Sequence, residues 1–148
     1  MTWDYIAGFI DGEGSIVKRR NVYNIHIPQT HFGVLSEIRE FTKCGYVYHI
    51  SKRQAHWKEA WIYSAGGMKN TCYILKKVVK TLVVKKELAD RAIREIEGRI
   101  QEIETRDVLR KSRIKRAGEL RTKGWAYRKI ALELNTDFGY VRRLLLKK

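Results

Sequence analysis

Within residues 22–29 of this 148-residue chain, the large apolar side chains of Tyr23, Ile25 and Ile27 alternate with Asn24, His26 and Pro28. A period of two places successive side chains on opposite faces of an extended backbone, so the pattern predicts a half-buried strand over 22–29. One strand is not stable alone and needs both neighbours and a covering layer. Residues 15–20 read as a neighbour, and 45–51 and about 57–64 as a second pair joined through Lys52-Arg53-Gln54. The facing of the last strand stays open, because Ala60-Trp61-Ile62-Tyr63 is apolar throughout. Helical spacing fills the intervals. Thr2 is placed to cap a helix from Trp3 to about Asp11, which Gly12 and Gly14 stop. Residues 32–43 carry Leu35, Ile38 and Thr42 on one stripe; 67–80 carry Met68, Cys72, Leu75 and Val79; 84–104 carry Leu88, Ala92, Ile96, Ile100 and Ile103. The succession helix, two strands, helix, two strands, helix, helix predicts an α+β domain with an antiparallel sheet, helices on one face and the other face free for a partner.

Charge narrows the partner. Lys and Arg number 31 against 16 acids, a net +15. The excess is graded along the chain: residues 1–104 carry +5, residues 105–116 another +5 and residues 117–148 a further +5. The chain therefore reads as a moderately basic core over 1–104, a very basic connector over 105–116 (a solvated helix, a linker or a phosphate-binding segment) and a basic C-terminal module over 117–148. Such an excess suits a polyanion, nucleic acid above all. With 44% hydrophobic residues, the composition excludes a wholly disordered chain. Cys44 and Cys72 make no disulfide framework and no Cys-x-x-Cys zinc pair. The start Met1-Thr2-Trp3-Asp4 lacks the basic region and apolar run of a signal peptide, and no stretch approaches the ~18 apolar residues of a membrane helix. The expectation is an intracellular protein with no membrane and no small-molecule substrate.

The densest signal is Ile6-Ala7-Gly8-Phe9-Ile10-Asp11-Gly12-Glu13-Gly14. Ala7, Gly8 and Gly12 are small, and Gly8 and Gly12 lie four apart on one helix face, which lets two helix backbones approach closely. Glycine inside a short helix costs roughly 0.5–1 kcal/mol relative to alanine, so its presence wants a reason. Asp11 and Glu13 stand at the C-terminal end of the helix, where the dipole favours cations. A bound divalent cation would relieve that conflict, the more so if two copies packed through the small face and brought two Glu13 carboxylates together. The plainer alternative is a glycine-rich cap followed by an exposed turn.

Residues 6–14 resemble the LAGLIDADG motif of homing endonucleases, and the strand and helix order over about residues 1–100 resembles the αββαββα fold of that family, with its antiparallel saddle-shaped sheet. The resemblance implies that the last acid of the motif, Glu13, binds the catalytic metal with the backbone carbonyl of Gly12. Many relatives carry Asp where this chain has Glu13. With a single motif copy, the resemblance implies a homodimer whose motif helices pack at the two-fold axis through Ala7, Gly8, Asp11 and Gly12, and hence a roughly palindromic double-stranded DNA site. The expected chemistry is hydrolysis of one phosphodiester bond on each strand assisted by Mg2+ or another divalent cation such as Mn2+. Lys85, near the apolar stripe of the long helix, resembles the family's active-site lysine, with Lys86 as a rival. His26, on the polar face of its strand, is the second candidate helper, with Gln29 as a rival.

DNA would be held on the free sheet face. If Ile16 faces the helices, Val17, Arg19 and Asn21 face outward and are joined by Asn24 and His26. The resemblance favours Tyr46 and Tyr48 on the same side. Lys52, Arg53, His56 and Lys58 cluster in and after the second hairpin turn, where the Lys and Arg side chains would hold phosphates. In the connector, Arg113, Lys115 and Arg116 are the phosphate candidates. At the C-terminus, Ile130, Ala131 and Leu134 give one helix face, Asn135-Thr136-Asp137 a turn and cap, and Val141, Leu144 and Leu145 a second face. This pair resembles the resolvase-like helix-turn-helix. Asp137, Tyr140 and Arg143 would face bases and Arg142 a phosphate. The leading expectation is a site-specific double-strand homing endonuclease. The alternatives are a regulator that joins a LAGLIDADG-like fold to a helix-turn-helix and does not cut, and an intron RNA maturase.

Overall fold

The computed structural model describes residues 1–52, 54, 56 and 58–146. The candidate Arg53 and the expected strand start at Trp57 fall outside the described residues. The chain folds as two compact units, Met1–Ile100 and Gln101–Lys148.

In the first unit the chain runs α1 (Trp3–Gly12), β1 (Ser15–Arg19), β2 (Val22–Gln29), α2 (Phe32–Thr42), β3 (Tyr46–Ile50), β4 (Ala60–Ala65) and α3 (Met68–Val78), then enters α4 (Lys86–Thr122). The Thr2 hydroxyl accepts the Tyr5 N–H and starts α1. Between β1 and β2, Arg20 and Asn21 both take positive φ, 46° and 66°. That is the two-residue turn whose twist matches an antiparallel pair. The strict alternation in β2 gives the strand the bounds its sequence predicts, and Leu35, Ile38 and Thr42 are the buried stripe of α2.

All four strands are antiparallel, in the order β1-β2-β4-β3. The second hairpin thus docks through its later strand, which becomes central. This explains the apolar run in β4. Cross-strand partners share a face: Trp61, Tyr63 and Ala65 stand opposite Gln29, Ile27 and Ile25 on the covered side, while Ile62 and Ser64 stand opposite Pro28 and His26 on the other. The core fills the covered side, with Ile16, Tyr23, Ile25, Ile27 and Tyr63 meeting Ile6, Ile10, Leu35, Ile38 and Leu75. Polar groups buried there are satisfied. The Thr71 hydroxyl donates to the carbonyls of Tyr23 (2.9 Å) and Ala65 (3.3 Å), tying α3 to the sheet, and the Tyr63 hydroxyl donates to the Cys44 carbonyl (3.2 Å).

Three expectations are corrected. In α3 the buried stripe runs through Cys72, Leu75 and Val78, with Val79 only half-buried; a 3.6-residue period drifts, and the stripe moved by one position. In α4 Ala89, Ala92 and Ile96 are buried and Leu88 is half-buried. The helix expected to end near 104 runs on to Thr122. Residues 99–117 contain neither glycine nor proline, so nothing in the connector interrupts the helix, although its side chains are almost all exposed.

In the second unit, Ala117 and Leu120 at the end of α4 pack with Ile130 and Ala131 of α5 (Tyr127–Glu133) and Val141 of α6 (Phe138–Leu146). Gly124 (φ 82°) and Asn135 (φ 45°) mark the two turns. Asp137 Oδ1 accepts the Tyr140 N–H (2.9 Å) and caps α6. Among the described residues no helix is long and apolar enough to cross a membrane.

Candidate active site and nucleic-acid interface

The last four carbonyls of a helix lack intrahelical donors. In α1 they belong to Phe9, Ile10, Asp11 and Gly12. Phe9 accepts the N–H groups of Glu13 (2.9 Å) and Gly14 (2.8 Å). Ile10 and Asp11 accept the Lys85 ammonium, at 2.9 and 2.5 Å. Among the described residues no group donates to the Gly12 carbonyl or to the exposed Glu13 carboxylate. A main-chain oxygen and an acid with no protein partner therefore sit side by side at the negative end of a helix. Both are hard oxygen donors, the kind that hard divalent cations take. One chain supplies too few for a full coordination shell, and no cluster of three or more His, Cys, Asp or Glu occurs among the described residues.

Asp11 behaves differently from its sequence expectation. Its Oδ2 accepts the N–H groups of Val83 (2.6 Å) and Val84 (3.3 Å), and its Oδ1 that of Lys85 (2.9 Å). Burial pushes its pKa up, but these main-chain donors and the Lys85 charge outweigh that and hold it below its ordinary value. The conflict between Asp11 and the α1 dipole is thus met by the start of α4, and the carboxylate is engaged within its own chain. The dimer-face assignment changes with it. Ala7 is 1% exposed and belongs to the core of its own chain, so it cannot reach a second copy. The outward stripe of α1 comprises exposed Tyr5, Gly8 and Gly12 with half-buried Phe9, and a Cβ built on Gly8 or Gly12 meets nothing within 4 Å.

Ser15 follows the site directly and opens β1. From it a row crosses the open face of all four strands: Ser15, His26, Ser64 and Tyr46 are successive cross-strand partners. Local spacing does not reveal the serines on either side of His26, because their place depends on pairing between distant strands. His26 Nδ1 is buried and has no hydrogen-bond partner among the described residues. Burial lowers the imidazole pKa below 6.5, and Arg19 lowers it further. Val17, Arg19, Asn24 and Tyr48 share this face. Tyr46 is 57% exposed, with its ring 5.6 Å from that of Tyr48. Asn21 lies in the β1–β2 turn. Gln29, the rival to His26, points to the covered side, where its Oε1 accepts the Thr30 N–H. Lys86 is exposed at the first position of α4.

The remaining phosphate candidates differ in freedom. Lys52 is paired with Glu59 at 2.7 Å, and Glu59 also bonds His49; Lys58 is exposed. In the second unit Arg113, Lys115, Arg142 and Arg143 are exposed and Tyr140 is half-buried. Arg116 lies 3.6 Å from Glu119 and 3.7 Å from Glu133. With Asp137 Oδ1 occupied as a cap, the exposed residues of α6 are Phe138, Arg142, Arg143 and Leu146.

No family model matches the chain, and no curated protein matches it. Solved structures do. The homing endonuclease I-CvuI, crystallised on an I-CreI target with 2 mM Mg and its DNA not cleaved, is 19% identical over 98% of this chain and 92% of its own, with a TM-score of 0.52. The archaeal intron-encoded homing endonuclease I-Vdi141I, complexed with DNA, gives 18% over 96% and 92%, again at 0.52. The LAGLIDADG meganuclease I-AabMI, bound to uncleaved DNA, gives 20% over 79% of this chain and 44% of its own, at 0.52. At such identities the likeness carries the architecture: the chain has the α+β fold of the LAGLIDADG homing endonucleases.

Proposed function

We propose that the chain is a site-specific, metal-dependent double-strand DNA endonuclease of the homing type, working as a homodimer. The observation that carries the reading is the oxygen pair of Gly12 and Glu13 at the end of α1, without a partner among the described residues, with the Lys85 ammonium at the preceding carbonyls. Gly12 and Glu13 would hold Mg2+ or another divalent cation such as Mn2+, which when bound polarises a phosphate and acidifies a water. A second copy packed on the Tyr5, Gly8, Phe9 and Gly12 stripe would bring a second Glu13 beside the first, one carboxylate for each strand of a roughly palindromic site.

The other residues take roles by position. Lys85 offers positive charge where the phosphate gains negative charge. His26, held neutral by burial, can accept a hydrogen bond or a proton from a water on the open face. Arg19, Asn24, Tyr46 and Tyr48 present donors and acceptors to base edges, and Lys52 and Lys58 meet phosphates. In the second unit, α6 follows a tight turn and carries Arg142 and Arg143 outward, as the reading helix of a helix-turn-helix would. Arg113, Lys115 and Arg116 add phosphate contacts.

The test is cleavage of plasmids carrying a randomised insert, with and without Mg2+, followed by sequencing of the cut ends. Discrete double-strand cuts that require the metal support the reading. Sequence-specific binding with no cutting by wild type would replace it with a regulator, and preferential binding of structured RNA with a maturase. Glu13→Gln should lower the cutting rate by a factor on the order of 10² or more while DNA affinity changes only a few-fold.

A further inference from the structure

The loop that leads into α4 has little packing of its own. Leu82 is buried, but the side chains of Val83 and Val84 are 83% and 76% exposed. What fixes Val83–Lys85 is the carboxylate of Asp11, which accepts all three of its main-chain N–H groups. Lys85 returns the contact, donating its ammonium to the carbonyls of Ile10 and Asp11. The exchange is reciprocal. An acid of α1 sits at the positive end of α4, and a base from the start of α4 sits at the negative end of α1, each where the helix dipole favours it. A second tie, Thr81 Oγ1 to Asp4 Oδ1 at 2.8 Å, holds the same loop farther back along α1 but does not touch Lys85.

We propose that Asp11 is a positioning residue: by anchoring the backbone of Val83–Lys85 it seats the Lys85 ammonium on the Ile10 and Asp11 carbonyls, at the same helix end that carries Gly12 and Glu13. The inference rests on the endonuclease reading for its catalytic consequence but not for its geometry. Charge-assisted bonds to three N–H groups define where the Lys85 Cα stands, and the lysine stem then reaches the two carbonyls. Without the carboxylate the segment keeps buried Leu82, the Thr81 tie and the Ala89 N–H bond to the Lys85 carbonyl (2.9 Å), but the N–H groups of Val83, Val84 and Lys85 lose their acceptor and the ammonium loses its fixed base.

Two measurements test this in the full-length protein. The first is acylation of lysine amines by an N-hydroxysuccinimide ester, mapped by mass spectrometry. In wild type Lys85 should react at least about tenfold more slowly than the neighbouring exposed Lys86, since its amine is engaged by two carbonyls. Asp11→Ala should bring it to the Lys86 rate, and Asp11→Asn, which keeps one acceptor oxygen, should fall between. Equal reactivity of Lys85 in wild type and both variants overturns the proposal whether or not the protein cuts DNA. The second is a double-mutant cycle on single-turnover cleavage. Asp11→Ala should slow cutting roughly tenfold to a hundredfold in the wild-type background, with DNA affinity within a few-fold, but less than about twofold when Lys85→Ala is already present. Losses that add in full would make Asp11 a general structural residue and overturn its action through Lys85. A wild type that does not cut, yet shows the Lys85 protection and its loss in the variants, would sink the endonuclease reading and leave the positioning intact.

Discussion

Gly14 is required by space. A Cβ there would lie 2.8 Å from Ile10 Cα and 3.0 Å from its carbonyl oxygen, both main-chain atoms that cannot move aside. Gly14→Ala should therefore push the Glu13 turn away from α1. We expect a loss on the order of 1–3 kcal/mol in urea denaturation and, if the site is catalytic, a fall in cutting rate larger than the fall in DNA affinity. Gly45 has both reasons at once, a φ of 78° and a Cβ position 2.8 Å from the Ser64 carbonyl oxygen. His26 governs a pH effect. Because burial and Arg19 set its folded pKa below 6.5, the native chain binds that proton less readily than the unfolded one. Its contribution is full above pH 6.5 and is lost as the pH falls from there through the folded pKa. Denaturation at pH 7.5 and 5.5 should show a smaller loss of stability for His26→Gln than for wild type; an equal loss removes His26 from the account.

The elements carry two kinds of surface. The exposed stripe of α1 has room at Gly8, so a larger residue there costs the single chain nothing and even improves helix propensity. Gly8→Glu should leave the melting temperature of the monomer unchanged or slightly raised. In sedimentation velocity it should abolish dimers at concentrations where wild type associates, and double-strand cutting should fall with it. An unchanged association would move the two-fold axis off α1. The side of α4 facing the sheet carries an exposed pair, Lys18 to Glu95 at 2.5 Å, with Tyr23 donating to the same carboxylate. These bonds lower the Glu95 pKa from its ordinary 4.5, the Lys18 bond most, with burial opposing them. The pair is wet, and Glu95→Gln should hardly change stability at pH 7.

At the scale of the whole molecule, charge is divided unevenly, with +10 of the +15 in residues 105–148. If the second unit holds DNA, deleting 117–148 should shorten the footprint and weaken specific affinity. It should also flatten the dependence of log K on log salt by about 0.9 for each phosphate that the shortened chain no longer neutralises. Among the described residues the core of the first unit contains none beyond Ile100, so its melting transition should survive the deletion.

What could be read from the chain alone was whatever repeats locally. The alternation in β2, the Leu35–Ile38–Thr42 stripe, the stop at Gly12–Gly14 and the order of elements are each set by neighbours a few residues apart, where the period of the backbone speaks directly. The open-face positions Val17, Arg19, Asn24 and His26 follow from the same alternation once one residue is placed inside. Tertiary structure decided what distant segments do to one another. Local spacing could not say that β4 rather than β3 lies beside β2, that Ala7 is enclosed by its own chain, or that Ser15 and Ser64 flank His26. Nor could it show that Asp11 spends its charge on amides more than 70 residues away: a carboxylate records only that it needs a partner, and the fold chose which one.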